Sequence, residues 1–434
     1  MKKITLFTLA LFITAAATAQ QDSLLTKYRF MALDYNHDLK AAGKNIAASI
    51  EVEKSARADL KPKLSAGANF QYTGNPTELT LDLPSLGSPM TFQGSDLRYG
   101  ASLSLLQPIY TGGQIMESIR LAQHQQSLAT GQQEAIRSAV CYQTDIQYWS
   151  TVARHEIVGV ATDFRNSIAS LTQTIRERVD VGLADPQDLL MAEVKLNEAE
   201  YQLLQAQNNF ETGRMALNSL IGVSLSTPTE IAQQLPLVSS VAALNGLDGS
   251  TRPELQIAQD RIKIAQSAGK LNDAKFKPQF YVGLDGSYSS PGYNFKKDLD
   301  PNYAVYAKVS VPIFEWGKRR SEKRASSFKV GIATDELNRV EDNVTLEVQT
   351  ARLSLTQAQE RVRLSENSLS KAHENEAKAL ERYAEGKVSI VDVIEAQTYR
   401  QTSQVNYVQA KVAAQGHYAE LIKALNGYDL NKID

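Results

Sequence analysis

The residues with the clearest potential for chemistry are two acids, Asp392 and Glu395, in a stretch with helical periodicity. They are three positions apart, so on a helix both carboxylates share one face. If several copies assembled, each acid would form a ring that favours cations, and close like charges would raise the pKa of some members. The alternative is a solvated helix face, which accounts for most charges that alternate in sign along a helix.

No other constellation in the sequence points to catalysis or to a metal. The histidines lack the spacing of metal ligands and are scattered at His37, His124, His155, His373 and His417. The single cysteine, Cys141, has no partner for an internal disulfide and is expected to be a small buried residue on a helix. The sequence has no nucleophile motif, P-loop or glycine-rich dinucleotide loop. We therefore expect neither an enzyme nor a cofactor, and energy for transport must come from a partner.

The acids lie in a stretch that occurs twice. Four residues recur 204 positions later: Arg178, Gly182, Asp188 and Ala192 return as Arg382, Gly386, Asp392 and Ala396. In each copy a glycine, Gly182 or Gly386, follows a long helical pattern, where a left-handed residue ends a helix. Pro186 suits the first turn of the next helix, and Ser389 is placed to cap its counterpart. Each copy is therefore predicted to be a helical hairpin with a short polar tip.

Long helices lead to and from these tips. The sequence from Gln114 to Arg178 reads as one uninterrupted helix, and about 65 residues would span roughly 100 Å. Its apolar residues alternate at steps of four and three, which is coiled-coil spacing: Ile157, Ala161, Phe164, Ile168, Leu171 and Ile175. The second copy repeats this seam with Val344, Val348, Ala351, Leu355, Ala358 and Val362. The returning helices carry the same spacing, through Ala199 and Ala206 in the first and Ala396, Tyr399 and Val408 in the second.

Each copy also contains a predicted β-hairpin, at residues 64–108 and 280–312. Apolar residues alternate there with small or polar ones over about nine residues, which is the period of a strand. The pattern alone fits a soluble sandwich as well as a membrane barrel, but the polar opposite face and an export signal favour the membrane. Four strands cannot close a barrel, and an open edge in lipid leaves backbone groups unpaired. A barrel therefore requires two chains with eight strands or three with twelve.

The N-terminus is predicted to be a secretory signal, because Lys2 and Lys3 precede an apolar run from Ile4 to Ala17. A linker with one short helix near Thr229 to Gln234 is predicted to separate the copies, and a loop from Gly74 to Gly94 to interrupt the first β-hairpin. The predicted domains are the signal peptide, 1–19; a first repeat, 20–225, with its helical hairpin at 114–222; a linker or equatorial segment, 226–251; and a second repeat, 252–434, with its helical hairpin at 317–427.

The segment Tyr383-Ala384-Glu385-Gly386, followed by Ile390-Val391-Asp392-Val393-Ile394-Glu395-Ala396, resembles the TolC-type outer-membrane efflux family. The resemblance covers essentially all of the chain after the signal. It implies a homotrimer whose twelve strands form one barrel in the lipid of the outer membrane and whose coiled-coil helices form a periplasmic tunnel. A periplasmic adaptor and an inner-membrane pump, of the exchanger type or ATP-driven, would be the partners. The net charge of −2 gives no basic footprint for nucleic acid.

The resemblance also implies roles at the tips. Asp392 and Glu395 match the acids of the family's tunnel aperture. The residues expected in its closing network are Gln187, Asp188, Tyr383 and Lys387. The chain departs from the family at Val388, where members can carry an arginine, so an arginine lock is in doubt.

Three functions are open from the sequence: an exit duct for small-molecule efflux, the same duct in type I protein secretion, and a soluble periplasmic coiled-coil scaffold. Fractionation separates the scaffold from the ducts, because only the ducts sediment with outer membranes. A basic cluster follows the last strand, at Lys318, Arg319, Arg320, Lys323 and Arg324. A solvated helix start explains it, and contact with phospholipid headgroups is the alternative.

Overall fold

The computed structural model describes residues 24–82, 87, 89–238, 246–292 and 297–428. The predicted signal peptide, 1–19, lies outside this part of the chain. The helices described are α1 (24–35), α2 (His37–Ala58), α3 (Gln114–Asp180), α4 (Pro186–Ile221), α5 (Pro253–Ala274), α6 (Lys318–Ala384) and α7 (Ile390–Ala424). The strands described are β1 (Lys63–Tyr72), β2 (Glu78–Leu81), β3 (Met90–Gln93), β4 (Leu97–Tyr110), β5 (Gln279–Ser290) and β6 (Asp300–Ser310). The prediction of a mainly helical chain with two long helical hairpins and a four-stranded sheet is confirmed.

The chain divides into two compact units. A strand unit comprises Lys44–Thr130 and Ile257–Leu337, and a helical unit contains the other described residues. Strands from both repeats form one antiparallel sheet in the strand unit, in the order β1-β4-β5-β6. The pairing of β4 with β5 therefore joins the two repeats, and β1 and β6 are the edges.

The sheet has one apolar and one polar face. On the first, Ala66 is opposite Leu103, and Leu284 lies between Leu105 and Val305. On the second, Ser104 is opposite Asp285 and donates a hydrogen bond to its carboxylate. The large apolar side chains of the first face are exposed. Strand alternation thus produces the two-faced sheet that the sequence predicted.

The interval from Gly74 to Gly94, predicted to be a loop, instead contains a two-stranded ribbon. Strands β2 and β3 pair there in antiparallel register. Leu79 lies opposite Phe92, and Thr80 lies opposite Thr91. The short Glu-Leu-Thr-Leu alternation supplies the period of two that the surrounding prolines and glycines obscured.

The long helices bury the predicted seams. Phe164, Ile168 and Ile175 of α3 are almost inaccessible to solvent, as are Val348 and Leu355 of α6. Tyr399 of α7 is a correction, because it was predicted on the seam and is exposed. Its hydroxyl donates a hydrogen bond to Glu395 one turn earlier (2.9 Å), which keeps the phenol at the surface. In the described ranges, none of the helices has a stretch long and apolar enough to cross a membrane.

The short helix predicted near Thr229 to Gln234 is wrong, since these residues are not helical. The backbone amide of Ala232 donates to the Tyr148 hydroxyl (3.2 Å), and that of Leu235 donates to Glu156 (3.2 Å). Both acceptors belong to α3. Side chains of a neighbouring helix therefore satisfy donors that a helix would have satisfied with its own carbonyls.

A buried ion pair fixes α1 to α3 in the helical unit. The Arg29 guanidinium donates two hydrogen bonds to the Asp145 carboxylate (2.7 and 2.6 Å), and the Tyr428 hydroxyl donates a third (2.7 Å). Burial raises the pKa of Tyr428 well above its usual value. Nearby Cys141 is buried as predicted, and burial raises the pKa of its thiol to about 11. The thiol therefore stays protonated, which makes it a poor nucleophile.

Candidate functional site: the hairpin tips

The two helical hairpins turn with the same backbone geometry. Gly182 and Gly386 have φ angles of 74° and 70°, in the left-handed region. In the first tip the amide of Leu183 donates to the carbonyl of Arg178 (2.7 Å). In the second, the amide of Lys387 donates to the carbonyl of Arg382 (2.9 Å). Each glycine thus allows the chain to fold back and satisfy carbonyls at the end of its helix.

The outgoing helices are capped by different side chains. Asp185 accepts a hydrogen bond from the amide of Gln187 (2.8 Å), with Pro186 in the first turn of α4. Ser389 and Asp392 form a capping box at α7, in which each side chain accepts from the other residue's backbone amide. Both arrangements satisfy amides that would otherwise lack a partner.

An apolar cluster packs the two tips together within the helical unit. Its buried members are Leu171, Ile175, Ala192, Ile390 and Val393, and Tyr383 packs against them. The Arg178 guanidinium lies 4.9 Å from the centre of the Tyr383 ring. A cation over an aromatic ring contributes about 0.5–1 kcal/mol at an exposed site, less than burial of one large apolar side chain. Apolar packing is therefore the stronger link between the tips, and the Arg178 contact adds orientation.

The predicted aperture acids lie in one groove between α6 and α7, which we call the acidic groove. Its volume is about 460 Å³, and Lys378 and Arg382 contribute basic side chains to its wall. Asp392 accepts hydrogen bonds from the hydroxyl (2.7 Å) and amide (2.9 Å) of Ser389, which lower the pKa of its carboxyl. Glu395 accepts from Tyr399, and this contact raises the pKa of the phenol. Within one chain the capping box thus favours the charged form of Asp392, the opposite of the effect expected from a ring of like charges.

The predicted closing network occupies separate places in the single chain. Gln187 lines an apolar groove of about 380 Å³ with Leu190, Val194 and Ile394. Lys387 pairs with Glu385 in its own turn (2.7 Å). Asp188 is in the first turn of α4. One groove therefore contains residues of both hairpins, Gln187 of the first and Ile394 of the second. Lys387 instead forms its ion pair within its own turn.

Sequence reasoning missed Arg178 as a site residue. Arg178 and its repeat counterpart Arg382 were visible as the start of the duplicated stretch, but their partners differ. Arg178 lies over Tyr383, whereas Arg382 lines the acidic groove and its charge lowers the pKa of Asp392. Only three-dimensional proximity distinguishes these two roles. Within the described ranges, no three metal-ligating side chains converge on a point.

A sequence profile described as outer membrane efflux protein matches residues 30–223 and 250–427. The chain belongs to this family. It is an outer-membrane protein with a long periplasmic extension. The resemblance predicted from the motif around Gly386 is therefore confirmed.

Similar proteins agree with this assignment. The toluene efflux pump outer membrane protein TtgI of Pseudomonas putida is 23% identical over 324 residues, which cover 73% of this chain and 67% of that protein. The cobalt-zinc-cadmium resistance protein CzcC of Cupriavidus metallidurans is 23% identical over 368 residues, covering 80% and 84%. The crystal structure of the CmeC outer membrane channel of Campylobacter jejuni aligns with a TM-score of 0.76 at 18% identity, covering 93% of this chain and 86% of CmeC. This last similarity shows a shared fold.

Proposed function

We propose that the chain is the outer-membrane exit duct of a tripartite efflux system and conducts its cargo passively. The observation that carries this proposal is the sheet with an exposed apolar face, a polar opposite face and two open edges. Open edges in lipid leave backbone groups without partners, which costs several kcal/mol for each group. Three copies of a four-stranded sheet would pair edge to edge into one closed wall of twelve strands.

Unpartnered apolar faces on the long helices support the trimer. Leu190, Val194 and Tyr201 of α4 are exposed at spacings of four and seven. Leu346 and Leu353 of α6 are exposed seven residues apart. Such stripes need a partner, and a neighbouring copy supplies one in a ring of helices. The same ring would form the periplasmic tunnel.

Support for small cargo comes from the relatives. TtgI is named for toluene efflux, and CzcC for resistance to cobalt, zinc and cadmium. These names favour efflux of small molecules or ions over export of proteins. The energy would come from an inner-membrane pump of the exchanger or ATP-driven type, linked to the duct through a periplasmic adaptor.

The acidic groove of the second tip is proposed to form the aperture of the tunnel. Asp392 and Glu395 would face their counterparts in the other two copies, and Gln187, Asp188, Tyr383 and Lys387 would form the closing network. Asp392→Asn and Glu395→Gln together remove the charge, and both amides still accept hydrogen bonds. Single-channel conductance and block by divalent cations should then change, whereas Glu341→Gln, an exposed acid of α6 outside the groove, should have no effect. If both quantities stay at wild-type values, the aperture assignment is wrong.

The duct itself is tested with full-length protein. Membranes are fractionated, the protein is purified in detergent, and its mass and its conductance in planar bilayers are measured. A trimer from the outer membrane that forms pores is expected. For the adaptor, Lys387→Cys in a Cys141→Ser background carries a photocrosslinker at the second tip in cells. A monomer extracted without detergent would contradict the duct, and crosslinking to no adaptor would contradict the tripartite assembly.

A further inference from the structure

The segment that follows β6 exposes three large apolar side chains within four residues. Ile313, Phe314 and Trp316 are 94%, 71% and 90% exposed, and the two aromatic rings contact each other edge to face (5.0 Å between centroids). The segment continues directly from β6, whose Val305 and Val309 lie on the exposed apolar face of the sheet. An apolar surface of this size requires a partner from outside the chain.

Trp316 also has an unusual backbone. Its φ angle is 48°, in the left-handed region that large side chains avoid. The first repeat has Gly112 at the equivalent position with a φ angle of 67°, and a Cβ there would lie 2.7 Å from the carbonyl oxygen of Ala274. The turn is thus retained in both repeats, but only the second has room for a side chain. A strained aromatic residue where its counterpart is glycine indicates that the side chain has a role.

A basic cluster follows at once in the first two turns of α6. Arg319 pairs with Asp273 (2.9 Å), and Lys318 approaches Glu315 (3.7 Å). The exposed Arg320 and Arg324 make no ion pair with any residue that the structure describes, and Lys323 lies close enough to Asp273 for its charge to lower the pKa of that carboxyl. Cations at a helix start oppose the helix dipole, and like charges four residues apart repel each other. Arg320 and Arg324 therefore do not stabilise the helix, and the three cations together exceed the single Asp273 carboxylate, which leaves charge for an external anion.

The first repeat shows that this chemistry is not a consequence of the duplication. The positions equivalent to Arg320 and Lys323 are Met116, which is half-exposed, and Ile119, which is buried against Ala56 and Ala122. Arg324 corresponds to Arg120, which is neutralised by Glu117 in its own helix (2.5 Å). The first repeat thus has one packed apolar side chain and one paired arginine where the second exposes three cations.

We propose that residues 313–324 bind anionic phospholipid headgroups in the periplasmic leaflet of the outer membrane. Trp316 and Phe314 would lie at the lipid–water interface, and Arg320, Lys323 and Arg324 would contact the phosphates. Aromatic rings favour that interface, and lysine and arginine are attracted to anionic lipid surfaces. The inference rests on the proposed duct, because the sheet must lie in the membrane for its end to reach the headgroups.

The test uses the full-length trimer in detergent. It is titrated separately with phosphatidylglycerol and phosphatidylcholine, and native mass spectrometry counts the bound lipids. The triple substitution Arg320→Ala/Lys323→Ala/Arg324→Ala is expected to weaken phosphatidylglycerol binding about fivefold per charge, or about a hundredfold in total, and to leave phosphatidylcholine binding unchanged. The matched control, Arg339→Ala/Arg361→Ala/Lys371→Ala, removes three exposed charges farther along the same helix and should bind as the wild type does.

Tryptophan fluorescence gives a second measurement. The chain has two tryptophans, and Trp149 is buried. Brominated phospholipid in vesicles should quench the wild type more than Trp316→Phe, since Trp316 is the exposed one.

Three results would overturn the proposal. The first is unchanged phosphatidylglycerol binding by the triple variant, and the second is equal quenching with and without Trp316. The third is dissociation of the triple variant into folded monomers, which would assign the cluster to a neighbouring copy. A wild type that never inserts into vesicles refutes the duct as well, whereas normal insertion with unchanged lipid binding refutes this inference alone.

Discussion

The first hairpin tip ends α3 at Gly182 and caps α4 with Asp185, whereas the second ends α6 at Gly386 and caps α7 with Ser389 and Asp392. The backbone turn is the same in both, with equivalent hydrogen bonds. The surfaces next to the turns differ. The first tip presents an apolar groove and the second a groove lined by acids and bases. Duplication has therefore retained the geometry that reverses the chain and has left the side chains free to take separate roles.

The packing beneath the tips differs in the same way. Ile175 of α3 is fully buried in the tip cluster, whereas its counterpart 204 residues later, Ala379 of α6, is only half-buried. Of the two incoming helices, α3 thus anchors the tip cluster, whereas α6 contributes only an alanine at this position. The outgoing helices show the reverse, because α7 buries Ile390 and Val393 whereas Leu190 and Val194 of α4 are exposed.

The largest expected effect comes from removing the anchoring side chain, Ile175. Ile175→Ala should lower the opening free energy of both tips by about 2–5 kcal/mol, because it leaves a cavity in a site with no solvent access. Hydrogen exchange of tip peptides from the purified trimer measures the change. Leu380→Ala, at a side chain that is 38% exposed, should have a much smaller effect, and Ala379→Ile should be nearly neutral. Equal losses from Ile175→Ala and Leu380→Ala would contradict the asymmetry.

The sequence predicted the elements that local chemistry determines. Alternation located β1, β4, β5 and β6, and steps of three and four located the seams of α3 and α6. The pairing of β4 with β5 brings together strands from different repeats, and spacing along the chain does not encode such a contact. Near residues 229–234 a tertiary contact instead removes a predicted element. The side chains of Tyr148 and Glu156 accept hydrogen bonds from backbone amides there and override a local helical preference.

At the tips, residue type predicted the turn and not the partners. A glycine after a helix is a local signal, and both glycines are left-handed. The proximity of Arg178 to Tyr383 depends on how two hairpins pack, so it could not be read from the 204-residue repeat. Asp392 is a further example. The sequence predicts Ser389 as the cap of α7, but it does not predict that the Asp392 carboxylate completes the capping box.

A second prediction tests the shared backbone. Gly182→Ala and Gly386→Ala should each destabilise the tip by about 1–2 kcal/mol, the penalty for an L-residue in the left-handed conformation. The two losses should be equal, because a Cβ at either position would meet no atom within 4 Å. Gly159→Ala, in the interior of α3 and equally unobstructed, should instead stabilise by about 0.5–1 kcal/mol. Thermal unfolding of the three variants measures this, and a tip that tolerates alanine would show that the turns are not equivalent.

The smallest expected effect is a dependence of the stability of the second tip on pH. Hydrogen bonds from Ser389 lower the pKa of Asp392, so its stabilising contribution is present above the usual aspartate pKa of about 4 and is lost as pH falls through the lower folded value. Hydrogen exchange of residues 385–395, corrected for intrinsic rates, should therefore accelerate as pH decreases below about 4, relative to residues 344–362 of the α6 seam. Ser389→Ala removes the two hydrogen bonds of the serine hydroxyl and leaves the one from the backbone amide of residue 389, so it should weaken this dependence, whereas Ser365→Ala, on α6, should leave it intact. If the wild type shows no acceleration, the capping box does not control the second tip, and its stability must come from the apolar cluster alone.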